Sequence, residues 1–207
     1  MIARHDEIIN NELRRISNDY KDHKRLVDFG CGNGERTLLF DEFGRELIGL
    51  DYISYELREN DEKIKFYKRN FLNSELPDSF ADMVMCFDVV EHMEQPENLL
   101  KEIYRVMTSK GILILATPNR NRLTNWPLLV LGLKKYPARI SKEFDQYPEY
   151  WHLTEYSEKQ LRALVEKHAF IILEWKKVYY GLAGGTGIDN LKGLPLYHNH
   201  ILVLGKK

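Results

Sequence analysis

Three glycines at alternate positions, Gly30, Gly32 and Gly34, follow directly on a short apolar run of Leu26, Val27 and Phe29. A run of that kind, bounded by turn residues, reads as a buried strand. A helix-period segment from Glu35 to Phe43 comes next, and a second apolar run, Leu47 to Leu50, stops at Asp51. Glycine accepts positive φ without strain and carries no Cβ to hold a bound molecule away from the backbone. Strand, glycine turn, helix, strand and acid form one half of a doubly wound α/β sheet, whose ligands lie beyond the carboxyl ends of the strands. Asp51 falls about 20 residues past the first glycine, where an acid accepts hydrogen bonds from ribose hydroxyls in such folds.

The spacing departs from the dinucleotide fingerprint G-x-G-x-x-G, since the third glycine arrives one residue early. Asp28, at the end of the first strand, suits a ligand that carries a positive group. Both features disfavour a nicotinamide-dependent oxidoreductase. These residues resemble motif I of the class I S-adenosylmethionine-dependent methyltransferases, and Asp51 matches that family's ribose-binding acid. The resemblance implies a Rossmann-like, doubly wound, seven-stranded sheet, mostly parallel with an antiparallel last strand. It also implies S-adenosylmethionine as cofactor, with Asp28, Gly30, Cys31, Gly32, Asn33, Gly34, Asp51, Tyr52, Asn70, Phe71 and Phe87 as its contacts. Asn70 stands where the family often has an aspartate that takes the adenine amino group. Its side-chain oxygen is able to accept that bond, and an asparagine there equally suits a turn cap.

The 207 residues are enough for one substantial core and short for two domains. The expectation is therefore a single domain with an N-terminal helix in residues 1–24. Lys and Arg number 30 against 31 Asp and Glu, so no basic excess marks a nucleic-acid surface. No apolar run approaches the ~18 residues of a membrane span, and the first residues show no signal-peptide core. Two cysteines are too few for a cysteine zinc site, and a free thiol beside a ligand loop suggests a reducing, cytoplasmic setting.

Ile9, Leu13, Ile16 and Tyr20 share one helical face within residues 2–21. After Asp51, residues 53–60 read as a helix and 63–67 as a strand. Asp82–Phe87 is a strongly apolar strand expected beside the first. Pro96 opens a helix, and Gly111–Asn119 is another buried strand. The likeness to the methyltransferase family is continuous from residue 26 to 119. Residues 120–155 read as an insertion in the position of the family's substrate lid. Within it, Trp126-Pro127-Leu128-Leu129-Val130-Leu131-Gly132-Leu133 precedes Lys134-Lys135-Tyr136. That pattern fits either a docked apolar helix or a surface element at 126–136 in peripheral contact with a membrane or with a lipid-like acceptor. Ser157 and Gln160 form a capping box for a helix reaching His168. Phe170–Trp175 and His198–Leu204 read as strands, and the glycine-rich stretch 181–187 as a flexible connection.

Chemistry beyond cofactor binding rests on Asp88, Glu91, His92 and His152. Asp-x-x-Glu-His at a strand end turns two carboxylates and an imidazole toward one point, and a histidine from the lid completes a site for Mg²⁺ or a similar cation. Residues 88–92 and 151–153 resemble, in part, the Glu-x-x-Glu-His and Thr-His segments of the ubiquinone-biosynthesis O-methyltransferases, which implies divalent metal binding beside a catechol-like acceptor. Glu-His at this place also occurs in methyltransferases that bind no metal. His152 and His92 are therefore candidates for a catalytic role, for metal ligation or for plain packing. The function implied is methyl transfer to a small or lipid-like acceptor, at oxygen. The alternative is a catalytically silent binding module of the same fold.

Overall fold

A computed structural model describes residues 2–52, 62–138, 151–180, 186–188 and 197–207. In chain order these form β1 (Ile2–Arg4), α1 (His5–Asp19), β2 (Arg25–Phe29), β3 (Glu46–Asp51), β4 (Ile64–Lys68), β5 (Ala81–Phe87), α2 (Pro96–Val106), β6 (Met107–Pro118), α3 (Trp126–Val130), α4 (Glu158–Lys167), β7 (Phe170–Tyr180), β8 (Thr186–Ile188) and β9 (Asn199–Lys206). The expected helix at 53–60 lies outside the described residues.

The strands form one sheet in the order β1-β8-β7-β9-β6-β5-β2-β3-β4. Pairings are parallel from β4 through β3, β2 and β5 to β6, and β9 runs antiparallel to both β6 and β7. This is the doubly wound, mostly parallel sheet with an antiparallel last strand that the resemblance implies. The short β1 and β8 extend it by two edge strands without a sequence signal of their own.

Each central strand is a continuous apolar run because both of its faces are covered. Successive side chains point to opposite faces. Val27, Phe29, Val84, Cys86, Leu113 and Leu115 accordingly enter one core, with Leu99, Leu100 and Ile103 of α2 and Leu161 and Val165 of α4. Leu26, Met83, Met85, Phe87, Ile112 and Ile114 enter the other, against Ile9, Leu13 and Ile16 of α1. Asp28 has the parity of Leu26, so it projects toward α1. Arg45 fastens α1 from its C-terminal end, donating to the Ser17 carbonyl at 2.6 Å, the Ser17 hydroxyl at 2.7 Å and the His23 carbonyl at 2.9 Å. That clamp fixes how α1 lies over the strand ends.

Residues 35–43 are not one α-helix. They form two short 3₁₀ turns, Thr37–Phe40 and Glu42–Gly44, with Phe43 in the left-handed region at φ 66°. Thr37 and Phe40 are the buried pair, and a three-residue spacing is eclipsed in a 3₁₀ turn yet also lies on one face of an α-helix. The apolar period alone does not separate the two. The N-terminal segment begins as a strand and turns helical only at His5, one turn later than its pattern suggests. The capping box of α4 is formed: the Ser157 hydroxyl accepts from the Gln160 N–H, and the Gln160 side chain accepts from the Ser157 N–H.

Candidate functional site

The turn after β2 holds all three glycines at positive φ, 83° at Gly30, 52° at Gly32 and 74° at Gly34. Their roles differ. A Cβ on Gly30 would sit 2.2 Å from Val89 Cγ2, and one on Gly34 would sit 2.8 Å from Ile64 Cδ1. Those two glycines admit packing. A Cβ on Gly32 would meet nothing within 4 Å, so its backbone faces open space. The Gly30 and Cys31 N–H groups both donate to the Leu50 carbonyl, which joins the turn to the end of β3. Asp51 then reaches back, its Oδ2 accepting from the Gly32 N–H at 2.9 Å.

A cavity of about 430 Å³ opens above this turn, lined by Asp28, Gly30, Cys31, Gly32, Asn33 and Phe87 among others. Six of the residues named from sequence thus share one wall. Asp28 is buried at its base. Its Oδ2 accepts from Thr37 Oγ1 at 2.6 Å, while Oδ1 has no hydrogen-bond partner among the described residues. Burial raises its pKa to about 7 against the lowering effect of Thr37 and of Arg36. A buried acid with one unmatched oxygen, set in a cavity wall, fits an ammonium group. Cys31 is no nucleophile here, because burial pushes its thiol up.

Sequence reasoning missed Asp6 and Asn10 of α1 and Arg36, which also line the cavity. The spacing of Asp6 and Asn10, four residues apart on the polar face of α1, was the available signal. Arg36 had none. Its guanidinium lies 4.0 Å from the Phe87 ring centroid, and Nη1 donates to Asp88 Oδ2 at 3.0 Å.

Tyr52, Asn70 and Phe71 gather at the other side of Asp51. The Tyr52 ring packs edge-on against Phe71 at 4.4 Å, and its hydroxyl donates to Asn70 Oδ1 at 2.7 Å. The same oxygen accepts from the Leu72 N–H at 2.9 Å. Asn70 therefore serves as the turn cap that its sequence allowed, with its acceptor oxygen already used twice. A second cavity, about 270 Å³, is lined by Tyr52, Leu72, His92, Met93, Glu94 and Gln95.

The four residues named as metal candidates do not all converge. Glu91, His92 and His152 each bring one ligand atom within 4.8 Å of the others. Asp88 stays outside, drawn to Arg36 in a left-handed conformation at φ 55°. Glu91 is fully buried. Its Oε2 accepts from Thr117 Oγ1 at 2.9 Å, and Oε1, with no hydrogen bond among the described residues, lies 4.0 Å from His152 Nε2. Burial, then the nearby Asp88 charge, raises Glu91 well above the usual carboxylate range. His92 Nδ1 lies 3.0 Å from the Trp151 carbonyl, which only accepts, so Nδ1 carries the proton and Nε2 the lone pair. Burial and the neighbouring His152 lower its pKa to about 4, which keeps it neutral at pH 7. The three groups are close enough to share a cation, which would have to displace the proton that burial favours on Glu91.

A family model described as a methyltransferase domain matches residues 2–174. The chain belongs to the methyltransferase-domain family. Within that family it is 26% identical over 171 residues to a probable S-adenosylmethionine-dependent methyltransferase of Mycolicibacterium smegmatis, covering 81% of this chain and 60% of the relative. It is 27% identical over 127 residues to the mitochondrial ubiquinone biosynthesis O-methyltransferase of Schizosaccharomyces pombe, covering 56% of this chain and 45% of that one. The chain thus spans about half the length of these curated relatives. Among solved structures, a SAM-dependent methyltransferase from Archaeoglobus fulgidus superposes with a TM-score of 0.68 at 23% identity, covering 97% of this chain and 94% of the other. That likeness shows the shared fold.

Proposed function

We propose that this methyltransferase-family chain transfers a methyl group from S-adenosylmethionine to an oxygen of a small or lipid-like acceptor, assisted by a divalent cation at Glu91, His92 and His152. The observation that carries the reading is the cavity lined by Asp28 and by Gly32, whose Cβ position is open and whose N–H is held by Asp51 from the end of β3. Asp28 would hold the cofactor ammonium, Asp51 the ribose hydroxyls, and the bare Gly32 backbone would let the chain between them lie close. Bound S-adenosylmethionine supplies a methyl carbon whose leaving group is already in place. The chain's share of the work is to align acceptor, methyl and sulfur and to exclude water.

The oxygen preference rests on the histidine cluster and on the ubiquinone biosynthesis O-methyltransferases among the relatives. A divalent cation supplies charge that favours the ionised form of an acceptor hydroxyl. Two imidazoles and one carboxylate suit Mn²⁺, Co²⁺ or Zn²⁺ better than the oxygen-seeking Mg²⁺. The deciding experiment is methyl transfer to a catechol, followed with and without a chelator, in the intact protein and in His152→Ala. Activity lost on chelation and restored by Mn²⁺ supports the proposal. Activity that survives chelation yet disappears in His152→Ala makes His152 the proton acceptor instead. Failure to bind S-adenosylhomocysteine overturns the reading as a whole.

A lipid-like acceptor is supported by the segment around α3. Trp126 is 51% exposed, Leu131 69% and Leu133 66%, and Lys134 and Lys135 follow at once. Apolar side chains flanked by lysines suit an anionic membrane surface. No helix among the described residues is long and apolar enough to cross a membrane. Co-sedimentation with phosphatidylglycerol vesicles is expected, with loss in Leu131→Asp/Leu133→Asp; equal sedimentation of the two proteins would remove the argument. The proposal includes one domain with residues 120–155 as its lid, in a reducing cytoplasm that suits the free thiols of Cys31 and Cys86.

A further inference from the structure

The chain returns from the lid segment to the core through residues 151–156. His152 exchanges two backbone hydrogen bonds with Ala138, at 2.8 and 2.9 Å, and the Leu153 and Thr154 N–H groups both donate to the Glu91 carbonyl. The next residue, Glu155, is only 1% exposed. Its Oε2 accepts from Arg122 Nη1, Asn125 Nδ2 and the Tyr136 hydroxyl, the last two at 2.7 Å. Its Oε1 accepts from Arg122 Nη2 at 2.8 Å and lies 2.7 Å from His152 Nδ1.

Arginine, the amide nitrogen and the phenol all donate, so Glu155 stands as an acceptor on both oxygens. His152 Nδ1 must then carry a proton, and in the neutral ring the Nε2 lone pair lies on the side of Glu91 Oε1, 4.0 Å away. Among the described residues, every partner of this carboxylate other than His152 comes from residues 122–136, the first half of the proposed lid. A buried ion pair is weak grounds for stability, whereas a carboxylate on the far nitrogen of a ligating histidine fixes its tautomer and ring orientation.

We infer that Glu155 is the positioning residue of the histidine cluster: it holds His152 in the Nδ1–H tautomer and transmits the placement of residues 122–136 to Nε2. The metal part of this inference rests on the proposed role of His152; the tautomer part does not.

The experiment uses the full chain with Glu155→Gln and Tyr136→Phe. Long-range ¹⁵N–¹H correlation spectra at a pH where the imidazole is neutral report the His152 tautomer. Visible absorption of added Co²⁺ reports occupancy of the cluster, and calorimetry with S-adenosylhomocysteine serves as control. The intact protein is expected to show the Nδ1–H tautomer alone. Glu155→Gln is expected to show mixed tautomers and Co²⁺ affinity about 10-fold lower or more, with cofactor affinity unchanged. Tyr136→Phe, which keeps the buried ion pair and removes one lid donor, should shift the His152 nitrogen signals and weaken Co²⁺ by a smaller factor. An unchanged tautomer and unchanged Co²⁺ affinity in Glu155→Gln overturn the inference. If that variant does not fold, unchanged signals in Tyr136→Phe do so. A tautomer shift in a protein that binds no Co²⁺ upholds the positioning role and removes the metal reading alone.

Discussion

Asp51→Ala is expected to weaken S-adenosylhomocysteine binding by roughly 100- to 1,000-fold while the protein stays folded. Asp51 does two things at once. It accepts from the Gly32 N–H at 2.9 Å, which holds the turn in its open form, and under the proposed function it accepts from the two ribose hydroxyls. Hydrogen bonds to a charged group contribute about 1.5–3 kcal/mol each, and 1.4 kcal/mol is a factor of ten in affinity. Two bonds to the ribose therefore account for the lower figure, and loosening of the turn adds to it. Asp51→Asn keeps an acceptor but loses the charge, so a smaller loss of about 10-fold is expected from halving the strength of each bond. Asp51 is partly exposed at the tip of β3, so the melting temperature should move little. Calorimetric titration of the three proteins provides the measurement. A dissociation constant for Asp51→Ala within threefold of the parent would separate this acid from the cofactor and leave the cavity without its assigned ligand.

Unbroken apolar runs were enough to place the central strands, because a strand buried on both faces leaves no polar gap in its run. Met83–Phe87 and Ile112–Ala116 show this directly: odd and even positions enter two different cores, yet both are apolar. The glycine turn was legible for a related reason, since positive φ and missing Cβ atoms have few substitutes. Local chemistry carried the start of α4 as well, where Ser157 and Gln160 are neighbours in sequence and in space. Contacts between distant segments were not readable. Arg36 and Asp88 are 52 residues apart and Arg122 and Glu155 are 33 apart, and neither pair leaves a periodic trace. The Arg36 contact goes with the position of Asp88 outside the cluster of Glu91, His92 and His152. The Asn70 side chain illustrates a tie that sequence leaves open, for the same oxygen suits an adenine or a turn, and the turn together with Tyr52 occupies it.

Asp28→Asn is expected to make the ligand-free protein more stable at pH 8 and less able to bind cofactor. The buried Asp28 carboxyl has its pKa raised from 3.8 to about 7, chiefly by burial. An acid whose folded pKa exceeds its unfolded value binds its proton more tightly in the folded state. Stability then falls as pH rises from about 4, and the whole penalty is present above about 7. At about 1.4 kcal/mol per unit, a rise of about three units corresponds to about 4 kcal/mol. Asparagine of the same shape keeps an oxygen for Thr37 Oγ1 and carries no charge to desolvate. Thermal unfolding of ligand-free protein should show the variant ahead by roughly 10 °C at pH 8, given ~2–4 °C per kcal/mol at this chain length. The two proteins should converge below about pH 3, where the carboxyl is protonated in both states. The same penalty becomes an attraction once an ammonium lies against Oδ1. Cofactor affinity in the parent should therefore fall up to tenfold per pH unit below 7, as binding must first remove the Asp28 proton. In Asp28→Asn the affinity should be low and flat across that range. A parent affinity independent of pH between 5 and 8 would show that the unmatched oxygen of Asp28 does not face the amino group, and that its burial reflects packing alone.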